Sequence, residues 1–274
     1  MSETRLAGGI TLAYDDCGEV DRRAVVLIHG VTMSRRYFQG QLEPLSTDSR
    51  VIAVDLRGHG DSENVETGHT VPQYARDLRH FIDALQLRRP VLLGWSMGGL
   101  VAFEYIRQFG TGELSGLVIV GEAASDFKWD GFPHGFLDLT GLHGLMTAVQ
   151  DDRMAFLRDL VPHMFHEPRS DRDVAWMVDE CAKLPIGATS AILFDQSVQD
   201  YRDVVATIDI PTLICWGRHD ALLPVTGATH LHENIAGSRV VIFEQSGHCP
   251  FIEEKGRFND AVTEFLSSLP AWRS

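Results

Sequence analysis

Six short runs in this chain are apolar almost from end to end: Ala24–His29, Val51–Asp55, Pro90–Gly94, Gly116–Gly121, Pro211–Gly217 and Arg239–Glu244. A strand with one wet face alternates polar and apolar residues. A run without alternation belongs to a strand covered on both faces, the habit of parallel sheets. Between the runs lie helix patterns at Ser34–Ser46, Val71–Leu87, Met97–Phe109, Val225–Ile235 and Gly256–Leu269. This alternation predicts an α/β fold, a mostly parallel sheet with helices on both faces. Ile10–Tyr14 adds a strand in an opening hairpin, with Gly8-Gly9 as its turn. A length of 274 residues fits one such domain with an insertion, not two independent units.

The alternation breaks between about Ala123 and Arg202, where no good strand occurs. Helical patterns appear around Leu142–Leu160 and Asp171–Leu184. The expected division is a core of residues 1–122 and 203–274 with a helical cap at 123–202, all in one continuous domain. The cap opens with Phe127, Trp129, Phe132 and Phe136. Open α/β sheets bind ligands beyond the carboxyl ends of their strands. Some of these aromatics are therefore expected at a pocket and others in packing; Phe127, Trp129 and Phe136 are the pocket candidates.

The net charge of −14 repels phosphate backbones and anionic bilayers, which argues against nucleic-acid and membrane partners. A small-molecule substrate is expected, with the oligomeric state left open. The first residues lack the apolar stretch of a signal peptide, and no run is long enough to span a membrane, so a cytoplasmic setting is expected. The four cysteines are too widely spaced for a zinc or redox pattern, and no metal is expected. Cys215, inside an apolar run, is read as a buried thiol.

Gly94-Trp95-Ser96-Met97-Gly98-Gly99 matches G-x-S-x-G. The pattern is common, but here an apolar strand runs into it and a helix pattern runs out. A sharp strand-to-helix turn strains the serine backbone, and only small residues fit two positions either side. Such a turn lifts the hydroxyl above the sheet and leaves the Met97 amide at a helix N-terminus, aimed at an anion. A serine hydroxyl needs a base, and the base an orienting acid.

Of twelve histidines, His248 sits in the loop after the last strand, where a base belongs. His219 precedes that strand and is the best decoy. Asp220, just after the run Pro211–Gly217, is the preferred acid. Glu122, after Gly116–Gly121, is its rival and otherwise a pocket candidate. His29-Gly30-Val31 follows an early strand, so the Val31 amide would pair with that of Met97 as oxyanion donors. His29 and Trp95 complete the pocket candidates.

Leu27-Ile28-His29-Gly30, Asp55-Leu56-Arg57-Gly58-His59-Gly60-Asp61-Ser62, the serine turn, Gly217-Arg218-His219-Asp220 and Ser246-Gly247-His248-Cys249-Pro250-Phe251 occur in this order over almost the whole chain. Together they resemble the α/β-hydrolase family. The resemblance implies an α/β-hydrolase fold with an eight-stranded-type sheet and a Ser–His–Asp hydrolase needing neither metal nor organic cofactor. The chain is most similar to the small esterases that include cofactor-free haloperoxidases. Val31-Thr32-Met33 departs from the aromatic residue and proline that this branch often carries there, so the expected activity is cleavage of a carboxylic ester or lactone. Relatives with aspartate or cysteine at the elbow, the haloalkane dehalogenases, epoxide hydrolases and dienelactone hydrolases, are set aside by Ser96. Perhydrolysis, carbon–carbon bond hydrolysis, cofactor-free oxygenation and slow-turnover ligand reception use the same residues and stay open.

Overall fold

A computed structural model describes residues 1–271. Its eight strands are β1 (Ser2–Arg5), β2 (Thr11–Cys17), β3 (Ala24–Ile28), β4 (Arg50–Val54), β5 (Val91–Trp95), β6 (Gly116–Val120), β7 (Thr212–Gly217) and β8 (Arg239–Phe243). They form one sheet in the order β1-β2-β4-β3-β5-β6-β7-β8. β1 and β2 are antiparallel to their neighbours, and β3 through β8 run parallel. The runs that form β3 to β7 feed two cores at once, while Arg239–Phe243, expected to be covered on both faces, is the sheet's edge strand and is only partly covered. Val26, Ile28, Leu92 and Ile119 face one, and Val25, Leu27, Leu93 and Val118 face the other. Successive side chains of a strand point to opposite faces, so a strand dry on both sides must be apolar throughout. Each such buried side chain is worth about 1.5–3 kcal/mol.

The helices are α1 (Gln39–Leu45), α2 (Val71–Ala84), α3 (Met97–Phe109), α4 (Leu139–His163), α5 (Asp171–Ala182), α6 (Ile186–Ser197), α7 (Arg202–Val205), α8 (Thr226–Asn234), α9 (Pro250–Glu253) and α10 (Lys255–Ser268). α2, α3 and α8 cover the first face, and α1 and α10 the second. The segment expected as one helix from Ser34 to Ser46 divides into a 3₁₀ turn at Arg35–Phe38, capped by the Ser34 hydroxyl, and α1. Asp152, with φ −153°, kinks α4. Among the described residues, no helix is long and apolar enough to cross a membrane.

The excursion between β6 and β7 holds α4, α5 and α6 and leaves and returns at one point. The Tyr201 amide donates to Ala124 O at 2.8 Å, and the Ser125 hydroxyl to Gln199 O at 2.5 Å. Its far parts reach loops at the carboxyl ends of the strands. On α5, Glu180 accepts from the Ser34 hydroxyl at 2.8 Å, beyond β3. At the exit of α4, Met164 O accepts from the His248 amide at 2.7 Å, beyond β8.

Candidate active site

Ser96 occupies the joint between β5 and α3 with φ 53° and ψ −128°, a conformation that costs a non-glycine residue on the order of 1–3 kcal/mol. The joint is over-determined. Its amide donates to Val120 O at 3.0 Å and its carbonyl accepts from the Gly99 amide at 2.6 Å. A side chain on Gly98 would stand 2.1 Å from Ile28 O, and one on Gly94 2.3 Å from Gly98 O. The turn can close only where both residues lack a Cβ. Trp95 and Met97 are buried on opposite faces, while Ser96 between them stays partly open to solvent.

The loops after β7 and β8 bring an acid and an imidazole together. His248 Nδ1 lies 2.8 Å from Asp220 Oδ2, and the Asp220 side chain is fully buried. The other oxygen, Oδ1, accepts from the amides of Leu222 and Leu223 at 2.9 and 3.0 Å, which fixes the carboxylate. Nδ1 therefore carries the proton, leaving Nε2 as a basic nitrogen. The pair lies against the residue that follows β6. A side chain on Gly121 would meet His248 Nδ1 at 3.2 Å and Asp220 Oδ2 at 3.4 Å. The Trp95 indole donates to His248 O at 2.9 Å, tying the residue before Ser96 to the imidazole's own backbone.

The His29-Gly30-Val31 loop stands on the other side. A side chain on Gly30 would come within 3.6 Å of Ser96 Oγ. Among the described residues, no backbone carbonyl outside its own element accepts from the Val31 or Met97 amide. His29 fixes this loop: Nδ1 lies 2.8 Å from Gly30 O, and Nε2 accepts from the Leu56 amide at 3.0 Å. Burial lowers its pKa against the pull of Asp55, consistent with a neutral ring. Asp55 accepts from the Arg35 and Asp61 amides and pairs with the Arg35 guanidinium. The Asp55–Ser62 motif is thus a brace for the loop after β3.

Glu122 does not touch His248 by a hydrogen bond. It is packed against Gly99, accepts from the Ala123 amide at 2.7 Å, and shares a hydrogen bond with Asp126. Both carboxyls are buried. Burial and mutual repulsion push Glu122 well above the carboxylate range. Burial drives Asp126 up to about 7. Two buried carboxyls with so few donors hold a proton between them. Asp126 has no signature in the sequence: only the fold brings it to Glu122.

The pocket candidates separate. His29, Trp95 and Glu122 lie within the interior, exposed by 1% or less, because each has structural partners. Trp95 packs beneath the turn against Tyr37, Phe38 and Phe251. Phe127 and Trp129 are half-buried and pack on each other with ring centroids 4.8 Å apart, and Phe136 is exposed. His219 stacks on His166, centroids 3.7 Å apart.

A family model described as alpha/beta hydrolase family matches residues 25–261. The chain belongs to the alpha/beta hydrolase family. Within it, the chain is 31% identical over 265 residues to the AB hydrolase superfamily protein YisY of Bacillus subtilis, covering 94% of this chain and 96% of that one. An esterase from Exiguobacterium antarcticum superposes with a TM-score of 0.92 at 29% identity, over 97% of this chain and 99% of that one. A bromoperoxidase from Bacillus anthracis gives a TM-score of 0.92 at 28% identity, over 97% and 100%. As an alpha/beta hydrolase the chain has the eight-stranded, mostly parallel sheet expected from its sequence, and hydrolytic chemistry is its family's trade.

Proposed function

We propose that this hydrolase cleaves a carboxylic ester or lactone of a small hydrophobic substrate through an acyl-enzyme on Ser96. The observation that carries the reading is the 2.8 Å contact of His248 with a fully anchored Asp220, tied through the Trp95 indole to the strained turn at Ser96, one residue on. His248 Nε2 takes the Ser96 proton as Oγ attacks the carbonyl carbon. Asp220 holds the tautomer and stabilises the imidazolium. The Val31 and Met97 amides receive the developing oxyanion, each worth about 3 kcal/mol in sites of this kind. The imidazolium then protonates the leaving alcohol, and a water activated by the same nitrogen releases the acid. The inserted helices act as a cap over the strand ends.

Ser96→Ala is expected to lower p-nitrophenyl acetate turnover by about 10⁴-fold or more while leaving the circular dichroism spectrum unchanged. A folded variant with full turnover would remove Ser96 from the mechanism. The similarity to a bromoperoxidase favours one second reading, in which hydrogen peroxide replaces water at the acyl-enzyme. Peracid formation from acetate and peroxide, absent in Ser96→Ala, is its assay.

A further inference from the structure

The backbone of His248 is held from outside its own loop on both sides. Its amide donates to Met164 O at the exit of α4, 2.7 Å away, and its carbonyl accepts from the Trp95 indole at 2.9 Å. The residue before it is held by Glu253, in α9. Glu253 Oε2 accepts from the Gly247 amide at 2.7 Å. Its other oxygen accepts from the amides of His166 and Glu167, at 2.8 and 3.3 Å, on the segment that leaves α4. One half-buried carboxylate therefore joins the loop of the imidazole to the inserted helices. The fit is close. A side chain on Gly247 would stand 2.8 Å from Met164 O and 2.9 Å from the His166 amide. The His166 ring stacks on His219, in the loop of Asp220, at the same junction.

A carboxylate suits this place for a physical reason. The three amides offer only donors, and a carboxylate offers only acceptors. Neighbouring Glu254 does different work: its Oε2 takes the Gln245 amide and the Ser246 hydroxyl, within the loop itself, at 2.9 and 2.7 Å. Glu253 alone of the two reaches across to the segment after α4.

We propose that Glu253 is a positioning residue for His248, fastening the imidazole loop to the exit of α4 so that placement of the base depends on the inserted helices being docked. This rests on the reading of His248 as the base. With Glu253 removed, Gly247 loses its acceptor, and the loop loses its side-chain tie to the segment after α4 while the backbone bond to Met164 and the Glu254 and Trp95 ties remain. Misplacing a base by about 1 Å costs on the order of 100-fold in rate.

The test compares Glu253→Ala, Glu253→Gln and His248→Ala in the full chain, each well below its own melting temperature. Three readouts are taken: steady-state p-nitrophenyl acetate hydrolysis, the rate of fluorophosphonate labelling of Ser96, and the low-field proton resonance of the His248–Asp220 hydrogen bond. Glu253→Ala is expected to lower kcat and the labelling rate together by about 10- to 100-fold, with KM changed less than about threefold, and to broaden the resonance. Glu253→Gln keeps one carbonyl acceptor and is expected to recover part of the loss; it also carries the test if the alanine variant fails to fold. Variants that melt earlier but keep wild-type kcat, labelling and resonance would reduce Glu253 to a structural role and overturn the proposal. A loss confined to KM would overturn it equally. Wild-type activity in His248→Ala would instead remove the base reading, and the proposal with it.

Discussion

At the scale of single residues, the Glu122–Asp126 pair makes the sharpest pH prediction. Both carboxyls are pushed upward by burial, Asp126 to about 7. A group whose folded pKa lies above its unfolded value binds more protons in the native state. Its contribution to stability is therefore present at low pH and lost as pH climbs from the ordinary carboxylate range through the folded value. Glu122→Gln removes one acid and offers an amide to Asp126. The variant is expected to melt a few degrees above wild type at pH 8, for a gain of about 1 kcal/mol, and to lose that advantage at pH 5. Turnover should stay within about threefold, because His248 is bonded to Asp220 and not to Glu122. A thousandfold loss would make Glu122 the orienting acid. Ser96, Asp220 and His248 can be singled out from the sequence because each sits in a local motif at a strand end, and the contact of His248 with Asp220 is the part of that choice seen in the structure. Asp126 and Glu253 are not. Asp126 is one acid in a loop, and Glu253 shares a two-acid run with Glu254; only tertiary contacts assign their partners.

Among elements, α5 is the one that binds the insertion to the loop after β3. Glu180 accepts from Ser34, pairs with Arg36 at 2.9 Å and with Lys183 at 2.8 Å, and is itself nearly buried. Cys181 beside it touches Met33 and the Tyr37 hydroxyl. Glu180→Ala leaves the buried Ser34 hydroxyl without its acceptor. It is expected to lower stability to urea by about 2 kcal/mol and to speed proteolysis within the inserted helices. Unchanged proteolysis would mean that α5 docks through its apolar contacts alone. Strands β3 to β7 are the readable elements, since burial on both faces writes itself as an unbroken apolar run, whereas the largely exposed β1 leaves none. α3 and α10 were nearly as clear. α6 was missed: Ile186 and Phe194 are exposed on it while Ile192 and Leu193 are buried, so its apolar residues draw no single stripe. α4 begins at Leu139 because Asp138 caps it through the Gly141 amide, three residues before the hydrophobic pattern begins.

For the whole molecule, charge is the term that sequence states and packing cannot cancel. A net −14 on one domain repels itself. Raising salt from about 10 to about 200 mM shortens the Debye length from roughly 30 to below 10 Å and is expected to raise the melting temperature. A fall would show that its ion pairs, such as the buried Arg35 with Asp15 and Asp61, outweigh the general repulsion. The hydrogen bonds of the alpha/beta hydrolase sheet between β6 and β7 involve only the strands themselves. Ala124 and Tyr201 are bonded to each other, so the chain enters and leaves the excursion between the two strands at neighbouring points. Doubling the length of a flexible loop adds only about 0.6 kcal/mol to the entropy of closing it. The β6–β7 ladder therefore sets little limit on the length of chain that joins its two strands, as a hem sets little limit on the cloth gathered above it.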